Sequence, residues 1–158
     1  MEDLDRLIAD LRQQEDELQF ASFTHDAALA LGMALIDAAR RQGKAITADI
    51  GRNGQQLFHA ALAGTSADND AWIRRKNNVV NRYGHSSYLI GTLARARGTT
   101  FEAWSRLDPD TYAAHGGAFP LLIRNLGPVG TITVSGLPQV EDHELVVQVL
   151  RAFLGGGA

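Results

Sequence analysis

Apolar residues recur along this chain with two different spacings, and the points where the spacing changes divide it into elements. Between residues 3 and 16, Leu4, Leu7, Ile8 and Leu11 fall on one helical stripe with charged and amide side chains around the rest, which predicts a short amphipathic helix. Residues 18–23 alternate too briefly to separate a strand from a lead-in. Thr24 or Asp26 is placed to cap a helix running to about Gln42, with Arg40 and Arg41 at the negative end of its dipole and Gly43 as its stop. From 44 to 50 the period shortens to two, with Ile46, Ala48 and Ile50 opposed to Ala45, Thr47 and Asp49. Arg52-Asn53-Gly54 is a turn signal and 56–62 alternates again, so the pair predicts a β-hairpin.

After a polar loop, Asp68 is the expected cap of one long helix reaching about Arg97, uninterrupted by proline, with Trp72, Val79, Val80, Tyr83, Ser87 and Ile90 on its inner face. Gly84 and Gly91 each cost about 1 kcal/mol against alanine in a helix interior, which predicts that another backbone approaches there. Thr99 and Glu102 have capping-box spacing around Phe101 and Trp104, and Asp108-Pro109 starts a further single turn towards Ala114. That turn delivers His115 to Gly116-Gly117, a flexible loop opening into a second hairpin. Phe119, Leu121 and Ile123 lie two apart in its first strand, and Ile132 and Val134 alternate with Thr131, Thr133 and Ser135 in its second. Glu141, Asp142 and Glu144 suit a helix start, Leu145, Val146, Val149, Leu150 and Phe153 supply its stripe, and 155–158 reads as a flexible tail. The order helix, helix, hairpin, long helix, hairpin, helix predicts an α+β fold: an antiparallel sheet built from two hairpins with helices packed on it, in a single domain over 1–154.

Composition narrows the partners. A chain of 158 residues suits one core of ordinary size, and a formal charge of −3 gives no general attraction for phosphate backbones or anionic lipid, so neither nucleic acid nor membrane is expected. The chain contains no cysteine, which excludes disulfides, thiolate metal sites and cysteine nucleophiles. Its first 20 residues are too charged for a signal peptide and no apolar run approaches a membrane span, so a cytoplasmic protein is expected.

Two clusters carry candidate chemistry. Arg74, Arg75 and Lys76 form a positive group near the start of the long helix, where consecutive side chains diverge by about 100° and at most two converge on one ligand. Lys76 lies on the apolar face and needs a partner. It reads as the lining of a pocket for a carboxylate or phosphate, as half of a buried ion pair with Asp49 or Glu141, or as a snorkelling side chain at a subunit contact. His115, beside two glycines, reads either as a proton-transfer group or ligand at a cleft, or as a ring closing the preceding turn. Asp142 and Glu144 read as helix-start charges. No histidine spacing predicts a metal site.

The pattern Gly116-Gly117-Ala118-Phe119-Pro120-Leu121, Gly127-Pro128-Val129-Gly130-Thr131-Ile132-Thr133-Val134-Ser135-Gly136 and Glu141-Asp142-His143-Glu144 resembles the signature of the GlcG/HbpS-like family, whose members are often called haem-degrading or haem-binding. Asp49-Ile50-Gly51-Arg52-Asn53-Gly54 and Lys76 resemble its first hairpin and helical lysine, and the likeness spans about 25–153. The details around Arg74–Val80 and Tyr112–Gly117 look closest to a branch of uncharacterised cytosolic proteins of bacteria and fungi. The resemblance implies a compact sheet flanked by helices and a homo-oligomer, with haem as a cofactor to consider. The combined expectation is a pocket in which Arg75, Lys76, Gly116, Gly117 and Glu141 bind an anionic small molecule, haem among the candidates, and His115 acts catalytically or ligates iron. The alternative is a non-catalytic assembly or adaptor protein.

Overall fold

The computed structural model describes residues 3–156. Among them are six helices and one antiparallel sheet: α1 (Leu4–Glu17), α2 (His25–Arg41), β1 (Thr47–Arg52), β2 (Gln55–Ala61), α3 (Ala67–Tyr83), α4 (Ser87–Ala96), α5 (Phe101–Ser105), β3 (Ala118–Ile123), β4 (Gly127–Ser135) and α6 (Gln139–Gly156). The sheet order is β2-β1-β4-β3, so the two predicted hairpins meet through β1 and β4 at its centre. The α+β architecture follows the expected order of elements with one division.

That division falls in the expected long helix. α3 ends at Gly84, which turns left-handed (φ 72°), and Ser86 caps α4 by accepting the Leu89 N–H at 3.1 Å. Glu15 of α1 holds the break open: one carboxylate oxygen accepts the Ser86 N–H at 3.1 Å and the other lies 2.6 Å from His85 Nδ1. A backbone does approach Gly91, where an added Cβ would lie 2.1 Å from Ala114 O, but Gly84 serves as a cap. Ser66 caps α3 in place of Asp68, in a reciprocal box with Asn69. Thr24 caps α2, and Thr100 rather than Thr99 caps α5. The turn at Asp108 is shorter than expected, and 112–115 runs without regular structure to the glycines. Residues 18–23 form no strand, though Phe20 makes a single parallel bridge to Ile123 at the edge of β3. α6 includes Gly155 and Gly156; the rest of the expected tail lies outside the described residues.

Strand alternation gives the sheet two unlike faces. One carries Ala48, Ile50, Phe119, Leu121, Ile132 and Val134, all buried, and is covered by α2 and α6 through Leu31, Leu35, Leu145, Val146 and Leu150. The other carries Thr47, Asp49, Thr131, Thr133 and Ser135, also buried, and is covered by α3. α3 meets this polar face with polar groups of its own. Thr133 Oγ1 donates to Asn77 Oδ1, and Asn69 Nδ2 donates to Ser135 Oγ at 3.2 Å. His59 of β2 stands between Asp49 of β1 (2.8 Å) and Asp70 of α3 (2.9 Å), tying the first hairpin to the helix.

Candidate functional site

The site is assembled where α3 crosses the end of β4. The irregular stretch before Gly116 is sewn to α3: Ala113 N–H donates to Arg75 O at 3.1 Å, Asn78 Nδ2 to Thr111 O at 2.9 Å, and the Arg75 guanidinium to Pro109 O at 2.7 and 3.0 Å. Those bonds bring His115, Gly116 and Gly117 over Lys76. The glycines are required by what they touch. A Cβ on Gly116 would lie 2.2 Å from Gln139 O, and one on Gly117 (φ 135°) would lie 2.3 Å from Lys76 Nζ.

Lys76 is 2% exposed, and its ammonium donates to Val134 O at 2.7 Å, Gly116 O at 3.1 Å and Asp142 Oδ2 at 3.4 Å. Three acceptors use all of its donors. Burial pushes its pKa down, with Asp142 opposing, while burial pushes the Asp142 carboxyl up to about 6 against the pull of Lys76 and the Leu137 N–H. Asp142 Oδ1 accepts that N–H at 3.1 Å, which fixes the turn from β4 into α6.

Above this pair opens a cavity of about 310 Å3. Its walls are Trp72 and Asn69 of α3, His115 and Gly116 of the loop, Ser135 to Leu137 at the end of β4, Gln139, and the Lys76–Asp142 floor, with Asp68 at the rim. The His115 ring is exposed and packs edge-on against Trp72, centroids 5.3 Å apart. Its pKa is held below the usual histidine value by partial burial and by the charges of Arg75 and Lys76, with Glu102 opposing.

His115, Lys76 and Gly116 are therefore brought together as the sequence suggested, and Gly117 backs the lysine. Two expected members are not. Arg75 is committed to Pro109 O and lies over the Trp72 ring at 4.4 Å, and it does not line the cavity. Glu141 is exposed, with Lys44 Nζ 3.9 Å away; the next residue, about 100° further round the helix, enters instead. The partner of Lys76 is thus Asp142, neither Asp49 nor Glu141. Asn69, Trp72 and Ser135 were not singled out as ligand-binding residues. Ser135 carried a signal, a hydroxyl on the strand face opposite Ile132 and Val134, but what covers that face is a tertiary fact.

Among the described residues no group of three or more histidines, aspartates or glutamates is placed to hold a metal ion. A haem finds one candidate axial nitrogen here, on His115. The cavity lies at the lower end of the roughly 300–1,000 Å3 of small-molecule sites, and its carboxylates oppose propionates. These residues do not fit an enclosed porphyrin.

The model of the family described as "Haem degrading protein HbpS-like" matches residues 23–151, and the chain belongs to this family. A UPF0303 protein of Streptomyces coelicolor is 59% identical over 148 residues, 94% of each chain, and one of Edwardsiella ictaluri is 52% identical over the same shares. The crystal structure of the Ybr137w protein superposes with a TM-score of 0.87 at 34% identity, covering 95% of this chain and 88% of that one. The structure of HbpS (TM-score 0.65, 22% identity, 87% and 93% covered) and that of a PduOC:heme complex (0.69, 14%, 84% and 95%) share the fold.

Proposed function

We propose that this chain, as a member of the HbpS-like family, is a small-molecule-binding protein whose ligand sits on the Lys76–Asp142 pair between His115, Trp72 and Ser135. One observation carries the reading: a buried ion pair forms the floor of an open cavity rather than lying in a sealed core. Such a pair adds little stability over apolar packing, and a carboxyl pushed up to about 6 in a cleft marks a working group. Because the three Lys76 donors are engaged inside the protein and Arg75 lies outside the lining, the cavity offers no uncommitted cation from either. The N-terminus of α3 is likewise closed by its own cap. A small polar ligand carrying hydrogen-bond donors suits it better than the strong anion the sequence suggested. Ser135, Asn69 and Gln139 orient such a ligand; Asp142 and His115 exchange protons with it. Haem, by this account, would meet His115 only at the surface.

The test is a thermal-shift and calorimetric screen of small amines, amides, polyols, carboxylates, phosphates and haem against the wild type, Ser135→Ala and His115→Ala. A compound from the first three classes should raise the melting temperature and lose about fivefold or more in affinity in Ser135→Ala. No shift from any class at saturation, or binding indifferent to both substitutions, would refute the proposal.

The same reading makes the protein cytoplasmic and homo-oligomeric. Leu29 and Met33, one turn apart on α2 and 56% and 52% exposed, support a contact between subunits. The alternative, a non-catalytic assembly protein, rests on that patch alone, and light scattering on a Leu29→Lys, Met33→Lys variant separates the contact from the cavity.

A further inference from the structure

Behind His115 a second cavity, of about 220 Å3, opens between α4, α5 and the loop before Gly116. Two residues, His115 and Gln139, line both hollows and form the wall between them. Gln139 is pinned, its Oε1 accepting the Gly116 N–H at 3.0 Å. His115 makes no hydrogen bond to the described residues, is exposed, and rests only edge-on against Trp72. The part of the wall that no hydrogen bond holds is therefore the His115 ring. The two hollows differ in chemistry. The first is walled by Ser135, Asn69, Lys76 and the carboxylates of Asp68 and Asp142; the second has an apolar bed of Phe101, Tyr88 and Ala114, with Thr99, Thr100, Arg95 and Glu102 also in its lining.

We infer that the two cavities are the halves of one elongated site, that His115 is its movable partition, and that the ligand is amphipathic: a donor-bearing head such as an amine in the first cavity, and an aromatic or aliphatic body in the second. This rests on the reading of the first cavity given above. Head and body both follow from the walls. An ammonium or amide finds acceptors at Ser135 and the exposed Asp68 carboxylate, whereas an anion would face Asp68 and meet a Lys76 whose donors are already taken. The body gains by leaving water for the ring of Phe101 and the methyl of Ala114.

The experiment compares butylamine with 4-phenylbutylamine by calorimetry and saturation-transfer NMR on the full chain. The phenyl compound should bind at least about tenfold tighter, because its ring is removed from water. Thr99→Phe, which fills the second cavity from its edge, should erase that gain and leave butylamine unaffected; Thr99→Leu, a smaller filler at the same place, should cut the gain at least in part if the first variant melts early. Ser135→Ala should weaken both amines together. A gain that survives both filling variants, with both amines still sensitive to Ser135→Ala, overturns the second chamber while the first site stands. No binding of either amine, alongside a hit of another class in the wider screen, overturns the head assignment, and no binding of any compound overturns the site itself.

Discussion

The two faces of the sheet are buried to a similar degree by opposite means. Under α2 and α6, Ile50, Ile132, Val134 and their neighbours need only fit, because apolar contact is non-directional and tolerates volume-conserving exchange. Under α3 each of Asp49, Thr133, Ser135 and Lys76 has a named partner at hydrogen-bonding distance: Asn77 and Asn69 of α3 meet Thr133 and Ser135, Gln56 and His59 of β2 meet Asp49, and Lys76 reaches Val134 O, so the position of α3 on this face is set by directional contacts. The apolar face supplies stability; the polar face positions. The cavity opens at the end of the polar face, where α3 leaves β4.

The sharpest way to break this comparison is at Lys76. Lys76→Met takes the ammonium away from Asp142 Oδ2, Val134 O and Gly116 O and should cost about 3–5 kcal/mol in chemical denaturation, more than most single truncations under α2. Adding Asp142→Leu should recover most of that loss, since two apolar side chains replace a pair that adds little by itself. A double variant as unstable as the single one would mean that the polar face holds the fold together rather than positioning a site.

The next effect sharpens the contrast within α6, where consecutive residues belong to opposite regimes. Asp142 is raised to about 6, while His143, buried between Tyr88 and Phe119 with Nε2 2.7 Å from Gln14 Oε1, is lowered to about 4 by burial. A raised carboxyl contributes stability at acid pH that is lost as pH rises through its folded value near 6. A lowered histidine contributes stability above its unfolded value near 6.5 that is lost as pH falls towards 4. Each is worth on the order of 2–3 kcal/mol over that window, with opposite sign, so the wild type should vary little between pH 4 and 6.5 on their account. Asp142→Asn should make stability fall with falling pH, and His143→Gln should make it rise. Equal slopes in the two variants, measured by urea denaturation at several pH values, would show that one assignment is wrong.

The smallest expected effect is at His59. His59→Ala removes the link between Asp49 and Asp70, and should cost about 1–2 kcal/mol, with hydrogen exchange quickening first in β2 and the start of α3. A loss spread evenly over the molecule would mean that the first hairpin and α3 open together with the core.

Much of the architecture was legible because period and punctuation are local. Both hairpins, α1, α2 and α6 could be read from alternation, caps and turn residues. The break at Gly84 could not, because a glycine inside a helical pattern and one at its end look alike until Glu15, some 70 positions earlier, fixes Ser86 and His85. The site was partly legible for the same reason. A lysine on an apolar face announces a buried partner, and two adjoining glycines announce close approach; both announcements held, at Lys76 and at Gly116-Gly117. The identity of the partner did not follow, since Glu141 and Asp142 are equally acidic and only their rotation about α6 separates them.

The sequence by itself thus determined which segments form helices and hairpins, and that Lys76, His115 and the diglycine are out of the ordinary, because propensity, period and backbone freedom belong to neighbouring residues. Tertiary structure alone decided that Lys76 is closed off by Asp142 and two carbonyls, that Arg75 turns to Pro109, and that His115 divides two hollows. Those outcomes depend on which donors and acceptors distant segments bring within about 3 Å of one another, a distance that no spacing along the chain encodes.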